Sequence, residues 1–91
     1  MATIFKATGQ IEEAVLEEWP LRELQRVVGG YIEFLTLPDG SGFCCNEEGK
    51  LHNLLINQAA TAILRIKWPE NRDTLVGDVL FFSRSEMEAM E

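Results

Sequence analysis

Alternation of apolar and polar residues predicts short β-strands at the beginning of the chain. Residues 3–8 alternate in this way, and Gly9-Gln10 is typical of a turn. Residues 11–16 are interpreted as a second strand that returns beside the first. The glutamates and alanine within residues 11–18 would also suit a helix, so that alternative stays open.

The next segment has the pattern of an amphipathic helix. Pro20 suits the first helical position, where its missing N–H group is not needed. Leu21, Leu24 and Val28 then recur at helical spacing and form one apolar stripe. Gly29-Gly30 is expected to end the helix, with one glycine in the left-handed conformation of a C-terminal cap.

A β-meander is predicted after this helix. Residues 31–37 are rich in strand formers, residues 38–42 carry strong turn chemistry, and residues 43–45 read as the returning strand. A second turn follows, in which Gly49 could supply the positive φ of a hairpin bulge, and Lys50-Leu51 leads out of it.

A second helix and a buried strand complete the pattern. Asn57 is a suitable N-cap for a helix over residues 58–67, and Pro69 ends that helix. Residues 75–82 form the most apolar run, which is typical of a central strand buried on both faces. Ser85 and Glu88 fit a capping box, so residues 83–91 are expected to be a short C-terminal helix or a frayed tail.

These elements predict a single α+β domain over residues 1–91, in the order ββαββαβ. We expect a four- to five-stranded antiparallel or mixed sheet with two main helices packed on one face. A chain of 91 residues has a marginal core, so added burial through a homo-oligomer is expected.

Charge then narrows the class of partner. Eight basic residues stand against fifteen acidic ones, for a net charge of −7. Proteins that bind DNA or RNA directly rely on Lys and Arg to displace counterions, so direct nucleic-acid binding is not expected. No run approaches the roughly 18 apolar residues of a membrane span. Without a leader-like segment either, the protein is expected to be cytoplasmic.

The residue types that carry catalysis are scarce. His52 is the only histidine, and the only cysteines, Cys44 and Cys45, are adjacent, which gives neither a zinc-type ligand set nor a disulfide framework. A Cys–His nucleophile pair across the hairpin is conceivable, but buried strand cysteines are usually inert. We therefore expect a protein that is not an enzyme and that uses no metal or cofactor.

One basic cluster stands out against this acidic background. Arg65, Lys67 and Arg72 fall within eight residues and could hold an anion, although solvated charge is the favoured explanation. Trp68 and Tyr31 could stack on a nucleobase, whereas Trp–Pro corners more often cover the end of a core. Asn57 caps a helix whose N-terminus is also suited to phosphate.

Several motifs together resemble an uncharacterised family of small proteins, a domain of unknown function found in bacteriophages, plasmids and bacteria. The resemblance runs from about residue 21 to residue 82. The chain departs from it at Cys44-Cys45 and at residues 68–72. The matching motifs are Gly29-Gly30-Tyr31-Ile32-Glu33, Asn46-Glu47-Glu48-Gly49-Lys50-Leu51, Asn57 with Ala59-Ala60-Thr61, and Val76-Gly77-Asp78-Val79-Leu80.

The resemblance implies a phage or mobile-element origin and brings with it no established enzymatic activity. The leading hypothesis is a counter-defence protein that sequesters a small nucleotide-derived signal without converting it. Its phosphates would be held by Asn57, Arg65, Lys67 and Arg72, with Tyr31 or Trp68 stacked on a base. The alternative is an acidic inhibitor that mimics DNA and binds a host restriction, repair or defence enzyme. Its residues would be Glu12, Glu13, Glu17, Glu18, Glu47 and Glu48.

Overall fold

The computed structural model describes residues 2–14 and 21–89, which contain five β-strands and three α-helices. In chain order these are β1 (Ala2–Phe5), β2 (Ile11–Ala14), α1 (Leu21–Val28), β3 (Ile32–Thr36), β4 (Gly42–Asn46), α2 (Gln58–Lys67), β5 (Val79–Phe82) and α3 (Arg84–Ala89). Residues 11–14 are therefore a strand, as preferred from the sequence, while Trp19 and Pro20 lie outside the described residues.

The strands form one antiparallel sheet in the order β2-β1-β5-β4-β3. The last strand in the chain, β5, thus lies at the centre, where Val79, Leu80 and Phe82 are fully buried. This placement confirms that the most apolar run contains the central strand, which covers Val79–Phe82 and not the whole of residues 75–82. The α+β class and the predicted order of elements are also confirmed.

The two long helices lie on opposite faces of this sheet. Ala60 and Leu64 of α2 pack in a core cluster with Phe43, Cys45 and Val79. Successive strand residues point to opposite faces, so their neighbours in β4 and β5 face the other way.

Those neighbours make the second core cluster. Leu24 and Val28 of α1 pack there with Cys44, Leu80 and Phe82. The prediction that both helices pack on one face is therefore wrong. The central strands are apolar at consecutive positions, and two apolar faces each need a helix to exclude water.

The caps of α1 and α3 are set by short local contacts. Gly29 adopts a φ of 80° and its N–H donates to the carbonyl of Gln25 at 2.8 Å, which confirms the glycine cap. At α3 the capping box lies two residues earlier than predicted. The N–H of Ser83 donates to Glu86 Oε1 at 2.8 Å, and the N–H of Glu86 donates to Ser83 Oγ at 3.3 Å.

The segment after β4 is a series of turns over residues 47–53 and not a further strand of a meander. The prediction of a positive φ at Gly49 is wrong. Within this segment the residue with a positive φ is Asn53. Gly49 is instead needed for space, because a Cβ there would lie 2.8 Å from Val76 Cγ2. None of the described helices has both the length and the apolar character needed to cross a membrane.

Candidate functional site

The side chain of Asn57 is buried and bonds to three segments of the chain. Its side-chain oxygen accepts from the N–H of Ala60 at 3.1 Å, which confirms the predicted cap of α2. Its amide nitrogen donates to the carbonyls of Phe5 at 2.7 Å and Gly77 at 2.8 Å. The residue is 0% exposed. A ligand phosphate has no access to this side chain, so Asn57 is a structural residue and not a ligand-binding one.

The three residues of the predicted basic cluster have different surroundings in the structure. Lys67 forms an ion pair with Asp39 at 2.8 Å and lies 5.8 Å from the centre of the Phe81 ring. Arg65 is half-buried and Arg72 exposed, and neither forms an ion pair with another described residue. Of the three, the structure thus engages Lys67 with a carboxylate.

The two predicted stacking residues lie in different regions. Trp68 follows α2, where its N–H donates to the carbonyl of Leu64 at 2.8 Å and its side chain packs against the α2-side core. Tyr31 is 68% exposed and precedes β3, at the end of the β3–β4 hairpin opposite Asp39. Five strand residues span roughly 17 Å, so Tyr31 lies far along the hairpin from the Asp39–Lys67 pair.

The glutamates predicted to mimic DNA are also separated. Glu12 belongs to β2, one edge of the sheet, and pairs with Lys6 at 3.2 Å. Glu47 and Glu48 follow β4, beside the opposite edge, while Glu17 and Glu18 lie outside the described residues. Neighbouring strands are about 4.8 Å apart, so the sheet separates the two described groups by most of its width.

Asp39 ties the hairpin tip to the end of α2. Besides Lys67 it accepts from the N–H of Ser41 at 3.0 Å and from Ser41 Oγ at 2.5 Å. The hydrogen bond from Lys67, followed by those from Ser41, holds the pKa of this carboxyl well below its usual range. The hairpin tip is thereby fixed in an ionised, hydrogen-bonded state at neutral pH.

A cavity of about 580 Å³ opens between this hairpin tip and α3. The ring of Phe34, 41% exposed and 6.2 Å from the ring of Phe82, offers an aromatic surface there. Arg84 contributes a guanidinium, whose Nε lies 3.0 Å from Glu88 Oε1. The lining residues are Phe34, Thr36, Pro38, Asp39, Gly40, Arg84, Met87 and Glu88.

Two glycines let α3 approach the hairpin and shape this cavity. A Cβ on Gly40 would lie 2.9 Å from Arg84 Cγ, and one on Gly42 would lie 2.5 Å from Met87 Cε. Sequence reasoning did not find this site, since Phe34 and Arg84 are far apart in the chain. The available signal was the two glycines, one in the turn and one at the first position of β4, which permit close packing by another element.

A family model described as a domain of unknown function (DUF3846) matches residues 2–90. The chain belongs to the DUF3846 family. The sequence resemblance to an uncharacterised domain family is thus confirmed at the level of the family, and its distribution in phages and plasmids stays a prediction. No curated protein and no solved structure matches the chain.

The thiols of this DUF3846 domain are placed as core residues. Burial raises the pKa of Cys44 to about 12 and, with the nearby Glu33 carboxylate, that of Cys45 to about 11. The two side chains face opposite sides of the sheet, and His52 lies in an exposed turn. A thiolate is the reactive form of cysteine, so neither thiol suits nucleophilic attack at neutral pH. Among the described residues no three His, Cys, Asp or Glu side chains converge as a metal site requires.

Proposed function

We propose that this DUF3846 domain is a non-enzymatic binding protein whose ligand occupies the cavity between the β3–β4 hairpin tip and α3. The observation that carries the proposal is the pairing of an exposed aromatic ring, Phe34, with a guanidinium, Arg84, around a cavity of about 580 Å³. Small-molecule sites have volumes of about 300–1,000 Å³ and combine apolar walls with a few polar groups.

A nucleotide-derived molecule suits these two groups. A nucleobase can stack on an aromatic ring, and a planar guanidinium can bind phosphate with two hydrogen bonds. Arg84 and Glu88 are exposed, with side-chain fractions of 74% and 61%, so their ion pair holds Arg84 only weakly. A ligand phosphate can therefore replace Glu88 as the partner of Arg84.

The chemistry of the cavity wall supports sequestration without conversion. Among the described residues that line the cavity there is no thiol and no histidine, and the two carboxylates, Asp39 and Glu88, are each engaged by a cation. The family resemblance to small proteins of phages and mobile elements supports a nucleotide-derived immune signal as the ligand. Binding such a signal tightly would be sufficient for a counter-defence function.

Calorimetry with cyclic dinucleotides and ADP-ribose derivatives tests the proposal. At about 100 μM protein a micromolar ligand saturates the site. Phe34→Ala and Arg84→Ala should each weaken binding about tenfold or more, and chromatography should return the ligand unaltered. Arg72→Ala is the matched control, since it removes an exposed arginine outside the cavity.

Four outcomes would count against the proposal. The absence of heat with every probe would remove the ligand class, and recovery of an altered ligand would make the protein an enzyme. Loss of binding in Arg72→Ala alone would move the site to the basic cluster predicted from the sequence. A host enzyme retained from lysate and released by salt would instead favour the acidic-inhibitor alternative.

A further inference from the structure

The strand β3 forms one edge of the sheet and leaves half of its backbone groups unpaired within the sheet. The N–H of Leu37 donates to Ser41 at 2.8 Å, and the N–H of Glu47 donates to Tyr31 at 2.9 Å. Hydrogen-bonded pairs alternate along an antiparallel ladder, so the odd-numbered residues of β3 bond to β4. The backbone groups of Ile32, Phe34 and Thr36 therefore point outward.

This edge lacks the devices that usually block strand pairing. Its five residues are in continuous register with β4, without a bulge or a proline. It carries one charge, Glu33, and its central side chain is the 41% exposed Phe34. The other edge, β2, carries Glu12 and Glu13 at its centre.

We infer that β3 pairs with β3 of a second copy of this chain, antiparallel and with the two-fold axis at Phe34. In this register Phe34 lies opposite Phe34 of the partner subunit, and Ile32 lies opposite Thr36 of the partner subunit. Each of the three pairs exchanges two backbone hydrogen bonds, which gives about six across the axis. The result is a continuous ten-stranded sheet, and this pairing does not depend on the proposed ligand.

Charge selects this edge over β2. The β3 pairing places Glu33 opposite Leu35, and the two aromatic rings at the axis form a favourable cross-strand pair. Antiparallel self-pairing of β2 around either central residue would place a glutamate directly opposite its own copy. Like charges directly opposite are destabilising, so β2 is the protected edge.

The pairing also completes the cavity beside α3. Phe34 and Thr36 line that cavity, so the Ile32 end of the partner's strand lies next to its open side. Two cavities then flank the axis. A five-residue strand pair is smaller than a standard interface of about 1,600 Å², so a dimer in the micromolar range is expected.

Cysteine cross-linking tests the register. Phe34→Cys places two thiols on the axis, where paired Cα atoms are about 5.5 Å apart and a disulfide can form. Thr36→Cys is the control, because its two copies would lie four residues apart, about 14 Å, beyond disulfide reach. The native cysteines are buried and do not compete. A covalent dimer with Phe34→Cys but not with Thr36→Cys is expected. Equal cross-linking of both, or of neither, would overturn the register.

Sedimentation tests the edge itself without altering a side chain at the axis. Thr36→Pro removes an N–H that points away from β4. Each subunit therefore keeps the hydrogen bonds within its own sheet, while the dimer loses about two of the backbone hydrogen bonds between the subunits. Glu13→Pro is the matched control on β2. The N–H of Lys6 donates to Gln10 at 2.8 Å, and in the alternating β1–β2 ladder this makes the backbone N–H of residue 13 point away from β1. The expected result is a dimer at about 100 μM for the wild type and Glu13→Pro, and a monomer for Thr36→Pro. A wild-type monomer, or a dimer that persists in Thr36→Pro, would overturn the inference.

Discussion

The side-chain amide of Asn57 donates a 2.7 Å hydrogen bond to the carbonyl oxygen of Phe5, 52 residues earlier in the chain. The same amide nitrogen also donates to the carbonyl oxygen of Gly77 at 2.8 Å. One buried side chain therefore joins the start of α2, the end of β1 and the loop before β5. Buried carbonyls need partners, so this residue holds three elements in one arrangement.

Asn57→Ala should destabilise the fold strongly. It leaves two buried carbonyls and the N–H of Ala60 without their partner, and we expect a loss of roughly 2–4 kcal/mol. Asn57→Asp keeps the cap acceptor but places a carboxylate against the two carbonyls, so it should be at least as damaging at neutral pH. Urea unfolding measures both. Asn71→Ala is the control, since it removes one exposed bond to the N–H of Asp73. An Asn57→Asp variant as stable as the wild type would contradict this account.

Cys44 and Cys45 should not react with a thiol reagent in the folded protein at pH 8. Their folded pKa values, about 12 and about 11, lie above the usual value of roughly 8.5. The neutral thiols therefore stabilise the fold fully below pH 8.5, and this contribution is lost as pH rises towards 11–12. Labelling of the thiols should occur as urea unfolds the protein. Between about pH 8.5 and 11, the free energy of unfolding should fall less for the double variant Cys44→Ala/Cys45→Ala than for the wild type. Rapid labelling of native protein at pH 8 would show an accessible thiolate.

Sequence patterns predicted the elements well because their signals are local. The glycine cap of α1, the Asn57 cap of α2 and the apolar run of β5 each depend on residues close together in the chain. The side of the sheet that each helix covers is not local. It follows from consecutive apolar residues in β4 and β5, such as Cys44 and Cys45, whose alternation requires cover on both faces.

The candidate site could not be predicted for the same reason. Arg65, Lys67 and Arg72 are close in sequence, but Lys67 is drawn to Asp39 by an ion pair that only tertiary structure provides. The cavity residues Phe34 and Arg84 meet because the hairpin tip and α3 pack together. Proximity along the chain indicated a cluster, whereas packing determines which side chains share a cavity.

Gly77→Ala should be more damaging than Gly49→Ala, although an added Cβ would meet its nearest neighbour at 2.8 Å in both. A Cβ at Gly77 would lie 2.8 Å from Leu54 Cδ1, and one at Gly49 would lie 2.8 Å from Val76 Cγ2. Gly77 also has a φ of 73°, and the left-handed region adds about 1–2 kcal/mol for a residue with a Cβ. Urea midpoints of the two variants measure the difference. Equal losses would mean that the backbone relaxes at Gly77.

Salt should act in opposite directions on the two proposed interactions. Each chain carries a net charge of −7, and the β3 pairing contains no ion pair between copies, so association is opposed by net repulsion. Raising the salt from about 50 to about 200 mM shortens the screening length from about 14 to about 7 Å. The dimer should therefore tighten by a few fold, while a phosphate bound to Arg84 should bind less tightly. Sedimentation and calorimetry across this range measure the two effects.

Glu33→Gln should tighten the dimer and reduce its salt dependence, because it removes the one charge on the paired strand. A dimer that weakens in salt would require ion pairs at the interface and so a different surface.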